Sequence, residues 1–83
     1  RAARAKIDAL DRRLAALLAR RFALAAPLGR LKKKASDPAR EKRVLANARR
    51  HARGEIYSDG VTAVFKEIIK QSKKLQRHAD KNR

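Results

Sequence analysis

Arg21 and Lys32 are cations set on the apolar stripe of one helical segment, and Ser72 and Gln76 are polar side chains set on that of another. Arg21 falls between Leu17/Leu18 and Leu24/Ala25, and Lys32 stands eleven residues further on. In an unbroken helix, eleven steps of about 100° return to within about 20°, so both side chains point the same way, about 16 Å apart. Long cationic side chains at that distance can converge on one small anion. Ser72 is four residues after Ile68, and Gln76 is four after Ser72 and seven after Ile69, so both face the core stripe. Buried charge is costly unless paired, which makes a ligand carrying negative charge the natural partner. Each residue also has a plainer role. Arg21 can snorkel from the stripe's edge, Lys32 belongs to a Lys32-Lys33-Lys34 run of the kind usually solvated, and a lone Ser or Gln at a stripe's edge is commonly satisfied within the fold. The set says more than any member.

Three helices must carry these groups, and the fold class expected is all-α. Ile7, Leu10, Leu14, Leu17, Leu18, Leu24, Leu28 and Leu31 recur at three- and four-residue steps from residue 1 to about 34. Alanine, leucine and arginine between them are strong helix formers. Pro27 removes one hydrogen bond and clashes with the Ala23 carbonyl, at a cost of about 3 kcal/mol. Because the apolar spacing continues through Leu28 and Leu31, a kink near Pro27 is expected rather than a break. A short linker at Ala35-Ser36 precedes Asp37-Pro38, an N-cap followed by proline at the first helical position. Val44, Leu45 and Ala48 mark the second helix, which is expected to end near Arg53-Gly54 with Gly54 as cap. Glu55 to Gly60 reads as a connector. The third helix is expected from about Ser58 or Asp59 to about Ala79, on Val61, Val64, Phe65, Ile68, Ile69 and Leu75. Residues 1–83 read as a single domain.

Composition narrows the function. There is no cysteine, and His51 and His78 share no ligand spacing, so neither a disulfide framework nor a metal site is expected. Apolar runs are broken by arginines within a few residues, and no membrane span is expected. With no signal-peptide pattern in view, a cytoplasmic protein is the expectation. Twenty-four Lys and Arg against eight Asp and Glu give a net charge of +16, the balance of a polyanion binder. One Tyr and two Phe leave little aromatic surface for stacking bases. Arg21, Lys32, Ser72 and Gln76 lie on apolar faces, where a phosphate backbone does not reach. A helical nucleic-acid-binding protein is therefore the lesser alternative.

Length adds a further expectation. A first helix of about 33 residues is about 50 Å long, whereas a compact domain of this size is roughly 30 Å across. The helix overhangs its own domain with its leucines still in register, and an intertwined homodimeric helical bundle is the simplest closed way to cover them.

Taken in order, several segments resemble the all-helical (AroQ-class) chorismate mutases. The run from Arg4 to Asp11, Leu17-Leu18-Ala-Arg-Arg21 and Gly29-Arg-Leu-Lys32 are similar to that family's first helix. Asp37-Pro-Ala-Arg40-Glu41 is similar to the opening of its second. Phe65-Lys-Glu-Ile-Ile69, Ser72 and Gln76 are similar to its third. The resemblance implies rearrangement of chorismate to prephenate, a unimolecular pericyclic step without cofactor, metal or covalent intermediate, serving aromatic amino-acid biosynthesis. It implies that Arg4, Arg21 and Arg40 hold the substrate carboxylates and that Lys32 and Gln76 donate to the ether oxygen. It further implies that Glu41, with the region of Asp37, binds the ring hydroxyl and that Ser72 helps position a carboxylate. On the same scaffold, isochorismate pyruvate lyase and aminodeoxychorismate mutase are the alternatives. Arg4 and Arg21 are about 25 Å apart along a straight helix and about 100° apart around it. If both are site residues, Arg4 comes from a partner chain.

Overall fold

The computed structural model describes residues 2–31 and 37–81. Over these residues all regular structure is helical, and there is no strand. α1 (Ala2–Ala25) runs into a 3-10 segment (Ala26–Arg30), followed by α2 (Pro38–His51) and α3 (Glu55–Lys81). Residues 32–36, which hold Lys32 and the expected linker, lie outside the described residues.

Pro27 does more than kink the first helix. Lacking an N–H for the Ala23 carbonyl, it sits at the start of a tighter 3-10 segment that replaces the α-helix from Ala26 onward. Leu31 closes this segment through an N–H to the Leu28 carbonyl at 3.0 Å. A 3-10 helix turns once per three residues and rises about 2.0 Å per residue. The expected co-facing of Arg21 and Lys32 ends on a residue that lies outside those described. Gly29 is buried here against α3, and a Cβ on it would overlap the Gln76 backbone carbonyl. Only glycine permits that approach.

α2 starts as its sequence requires. Asp37 caps it, its Oδ1 accepting from the Arg40 N–H at 3.1 Å, with Pro38 in the first turn. Glu41, one residue past the third helical position, reaches back to accept from the Asp37 N–H at 3.4 Å. The helix closes at Ala52, and Gly54 (φ 89°) reverses the chain into α3.

α3 begins at Glu55, so residues 55–60 form its first turn and a half and not a connector. The Ser58 N–H bonds to the Gly54 carbonyl at 2.9 Å, and the Ser58 hydroxyl donates to the Glu55 carbonyl at 3.0 Å. From α2, Arg49 donates to the Ser58 hydroxyl at 3.2 Å and to Asp59 at 2.9 Å. These bonds offset the helix cost of Gly60, about 1 kcal/mol, which had favoured a loop there. The helix continues to Lys81, beyond the expected end at Ala79.

α3 packs on the 3-10 segment, on α2 and on the end of α1, and its buried residues include Ile68, Ser72 and Gln76. α1 buries nothing fully. Ile7, Leu10, Leu14 and Leu17 are each more than half exposed. Beyond Ala9, partial cover reaches α1 only at Leu18, Arg21, Phe22 and Ala25. The chain extends 47 × 24 × 13 Å with a radius of gyration of 14.9 Å, against about 12 Å for a compact domain of this length. The overhang expected from the sequence is present, and its leucine stripe is bare within one chain.

Candidate functional site

Where α1 meets the 3-10 segment, α2 and α3 enclose a cleft of about 210 Å³. Leu24, Ala25 and Leu28 form one wall, and Val44 and Ile69 line it from α2 and α3. Into this apolar frame project Arg21 from α1, Asp37, Arg40 and Glu41 from the start of α2, and Ser72, Lys73 and Gln76 from α3.

The polar groups are tied to one another in a definite order. Arg21 Nη1 donates to Ser72 Oγ at 2.8 Å, and Ser72 Oγ donates in turn to the Ile68 carbonyl at 2.8 Å. A hydroxyl has one proton. That of Ser72 is committed to the backbone, so Ser72 meets the guanidinium as an acceptor and fixes its direction. Burial first, and then the positive charge of Arg40, lower the Arg21 pKa from its ordinary value. Among the described residues neither Arg21 nor Arg40 pairs with a carboxylate. Two guanidinium groups thus stand close together in a partly apolar cleft, their positive charge uncompensated by a carboxylate among the described residues.

Gln76 Nε2 donates to the Ala25 carbonyl at 3.2 Å, at the point where the α-helix gives way to the 3-10 segment. An amide nitrogen carries two protons, so one donor remains. At the other side of the cleft, Glu41 Oε2 takes the Asp37 N–H and lies 3.1 Å from Lys73 Nζ.

Six of the eight residues expected from the sequence therefore line one cleft: Arg21, Asp37, Arg40, Glu41, Ser72 and Gln76. Arg4 does not. It is exposed in the first turn of α1, far along the helix from Arg21. Lys32 lies outside the described residues. Lys73 was missed, because Lys73-Lys74 reads as surface charge. Its position four residues after Ile69 and three before Gln76 places it on the same face, and that spacing was the available signal.

A second, broader groove of about 670 Å³ shares Arg21 and Arg40 with the cleft. Val44, Ala48, Val61 and Phe65 line its apolar part, and Arg43, Arg50 and His51 add basic groups. Among the described residues no cluster of His, Cys, Asp and Glu is able to hold a metal ion, and no helix is long and apolar enough to cross a membrane.

Fold and cleft together define a class: an all-helical protein with a small pocket, cationic on one side and carboxylate-bearing on the other. A family model described as chorismate mutase type II matches residues 3–77. The chain belongs to that family, the all-helical AroQ class of chorismate mutases. Neither a curated protein nor a solved structure matches it significantly.

Proposed function

We propose that the cleft binds chorismate and accelerates its Claisen rearrangement to prephenate. The observation that carries this reading is the Arg21–Arg40 pair, two guanidinium groups without an acidic partner at the mouth of an apolar pocket. A dicarboxylate supplies what they lack. Arg21, aimed by Ser72, and Arg40 hold the carboxylates. Glu41, with Asp37 beside it, accepts from the ring hydroxyl. The free donor of Gln76, together with Lys32, meets the ether oxygen as negative charge grows on it. The rearrangement is unimolecular: the C–O bond breaks as a C–C bond forms, and no group of the protein is covalently engaged. The protein's contribution is to hold the reactive conformer and to place fixed donors where charge develops.

The same reading includes a homodimer. The bare stripe of Ile7, Leu10, Leu14 and Leu17 on α1 needs an apolar seat, and the groove of Val44, Ala48, Val61 and Phe65 offers one. Asp11 stands on one edge of the stripe, and Lys6 and Arg13 on the other. Arg4 lies on the same edge of α1 as Asp11. A partner's α1 seated in this groove brings its Arg4 toward the end of the cleft where Arg21 and Arg40 stand.

The test follows chorismate and prephenate directly with purified protein. Prephenate formed well above the uncatalysed rate supports the reading. A folded protein that leaves the uncatalysed rate unchanged overturns it.

A further inference from the structure

Lys73 is the polar cleft residue that the site's sequence pattern did not contain. Its Nζ lies 3.1 Å from Glu41 Oε2, and the two side chains keep only 26% and 27% of their exposure. The pair lines the cleft at the carboxylate side, which the proposed function assigns to the ring substituent of the substrate. We propose that Lys73 is a specificity-determining residue: it makes this side of the cleft accept a neutral hydroxyl and reject an ammonium group. The inference rests on the proposed function.

The charged side chains that line the cleft, among the described residues of one chain, can be counted by name. Asp37 and Glu41 are negative, and Arg21, Arg40 and Lys73 are positive. Without Lys73 the two carboxylates balance the two arginines, and the arginines are occupied by the substrate's own carboxylates. The Asp37–Glu41 side would then attract any cationic substituent. Lys73 cancels that attraction. Oε2 of Glu41 is engaged by Lys73 and by the Asp37 N–H, while Oε1 has no partner among the described residues. What remains is a hydrogen-bond acceptor with its charge neutralised, suited to an O–H donor. An ammonium group bound there would stand beside the Lys73 ammonium, and discrimination often depends on such a repulsive element.

Chorismate and aminodeoxychorismate, whose amine is an ammonium at neutral pH, test this as a pair. The ratio of their kcat/KM values is measured for the unaltered protein, Lys73→Met, Lys73→Gln and Lys73→Arg. The unaltered protein is expected to prefer chorismate. Both neutral variants should shift the ratio toward the amine by about tenfold or more, and Lys73→Arg should keep the original preference. A merely structural role would change both substrates alike and leave the ratio fixed. An unchanged ratio in the folded neutral variants overturns the role of Lys73, as does an unaltered protein that prefers the amine. If the unaltered protein turns over neither substrate, the proposed function itself fails and the inference falls with it. A partly exposed pair contributes little to stability, and two neutral variants guard against one that does not fold.

Discussion

Gln76 shows how a single side chain is shared between fold and chemistry. It is buried, it donates once to the Ala25 carbonyl, and it keeps a second donor for the cleft. Gln76→Ala therefore removes both. Loss of a donor aimed at developing negative charge costs about 10²–10³ in kcat. Loss of the Ala25 contact costs about 1–3 kcal/mol of stability through the unpaired carbonyl. Turnover and thermal melts measured on the same sample should show kcat falling by at least a hundredfold while the protein remains folded. Ser72 divides its hydroxyl in a similar way, but both ends are taken up by the protein. Helical spacing placed it on the core face, and the family resemblance implied that it helps position a carboxylate. Its hydroxyl is spent on Arg21 and the Ile68 carbonyl, so on the proposed function its effect on a carboxylate passes through Arg21. Spacing locates a side chain on a face, and it does not say which neighbour consumes a hydroxyl's one proton. Lys73 makes the complementary point. Its spacing from Ile69 and Gln76 was readable, but its partner Glu41 sits on another helix, and no local pattern in α3 reports it.

At the scale of elements, what was legible depended on whether the cause was local. The start of α2 was, because Asp37, Pro38 and Glu41 act within one turn. The end of α1 was only half legible. Proline predicts a disturbance, but whether the chain kinks or tightens into a 3-10 segment depends on what it packs against. The deciding contact is Gly29 against the Gln76 backbone, across the molecule. The first turn of α3 was hidden for the same reason, since Arg49 on α2 anchors Ser58 and Asp59. Gly29 thus does more than end a helix: it sets how closely the 3-10 segment approaches the residue that carries Gln76. Gly29→Ala should push these backbones apart, destabilising the protein by about 1–3 kcal/mol and lowering kcat, because Gln76 is displaced from the cleft. Denaturant melts and turnover at a temperature where the variant is folded check both parts. Unchanged kcat in the folded variant would show that the segment's approach does not set the position of Gln76.

At the scale of the whole molecule, one chain leaves three features unaccounted for. Its leucine stripe is bare, its radius of gyration exceeds that of a compact domain of its length, and Arg4 is remote from the cleft. A charge of +16 is more than two carboxylates require, and on the proposed reading it raises the rate at which an anionic substrate is captured. A cleft completed by a second chain accounts for the stripe and for Arg4 together. Mixing two variants tests that claim most directly. Arg4→Ala and Arg21→Ala each damage every site of their own homodimer. After co-refolding of equal amounts, half of the dimers contain one subunit of each kind. In those dimers both substitutions fall in one site, and the other site is intact. Chorismate turnover should therefore return to about a quarter of that of the unaltered protein. A folded mixture no more active than the mean of the two variants would contradict a cleft built from two chains.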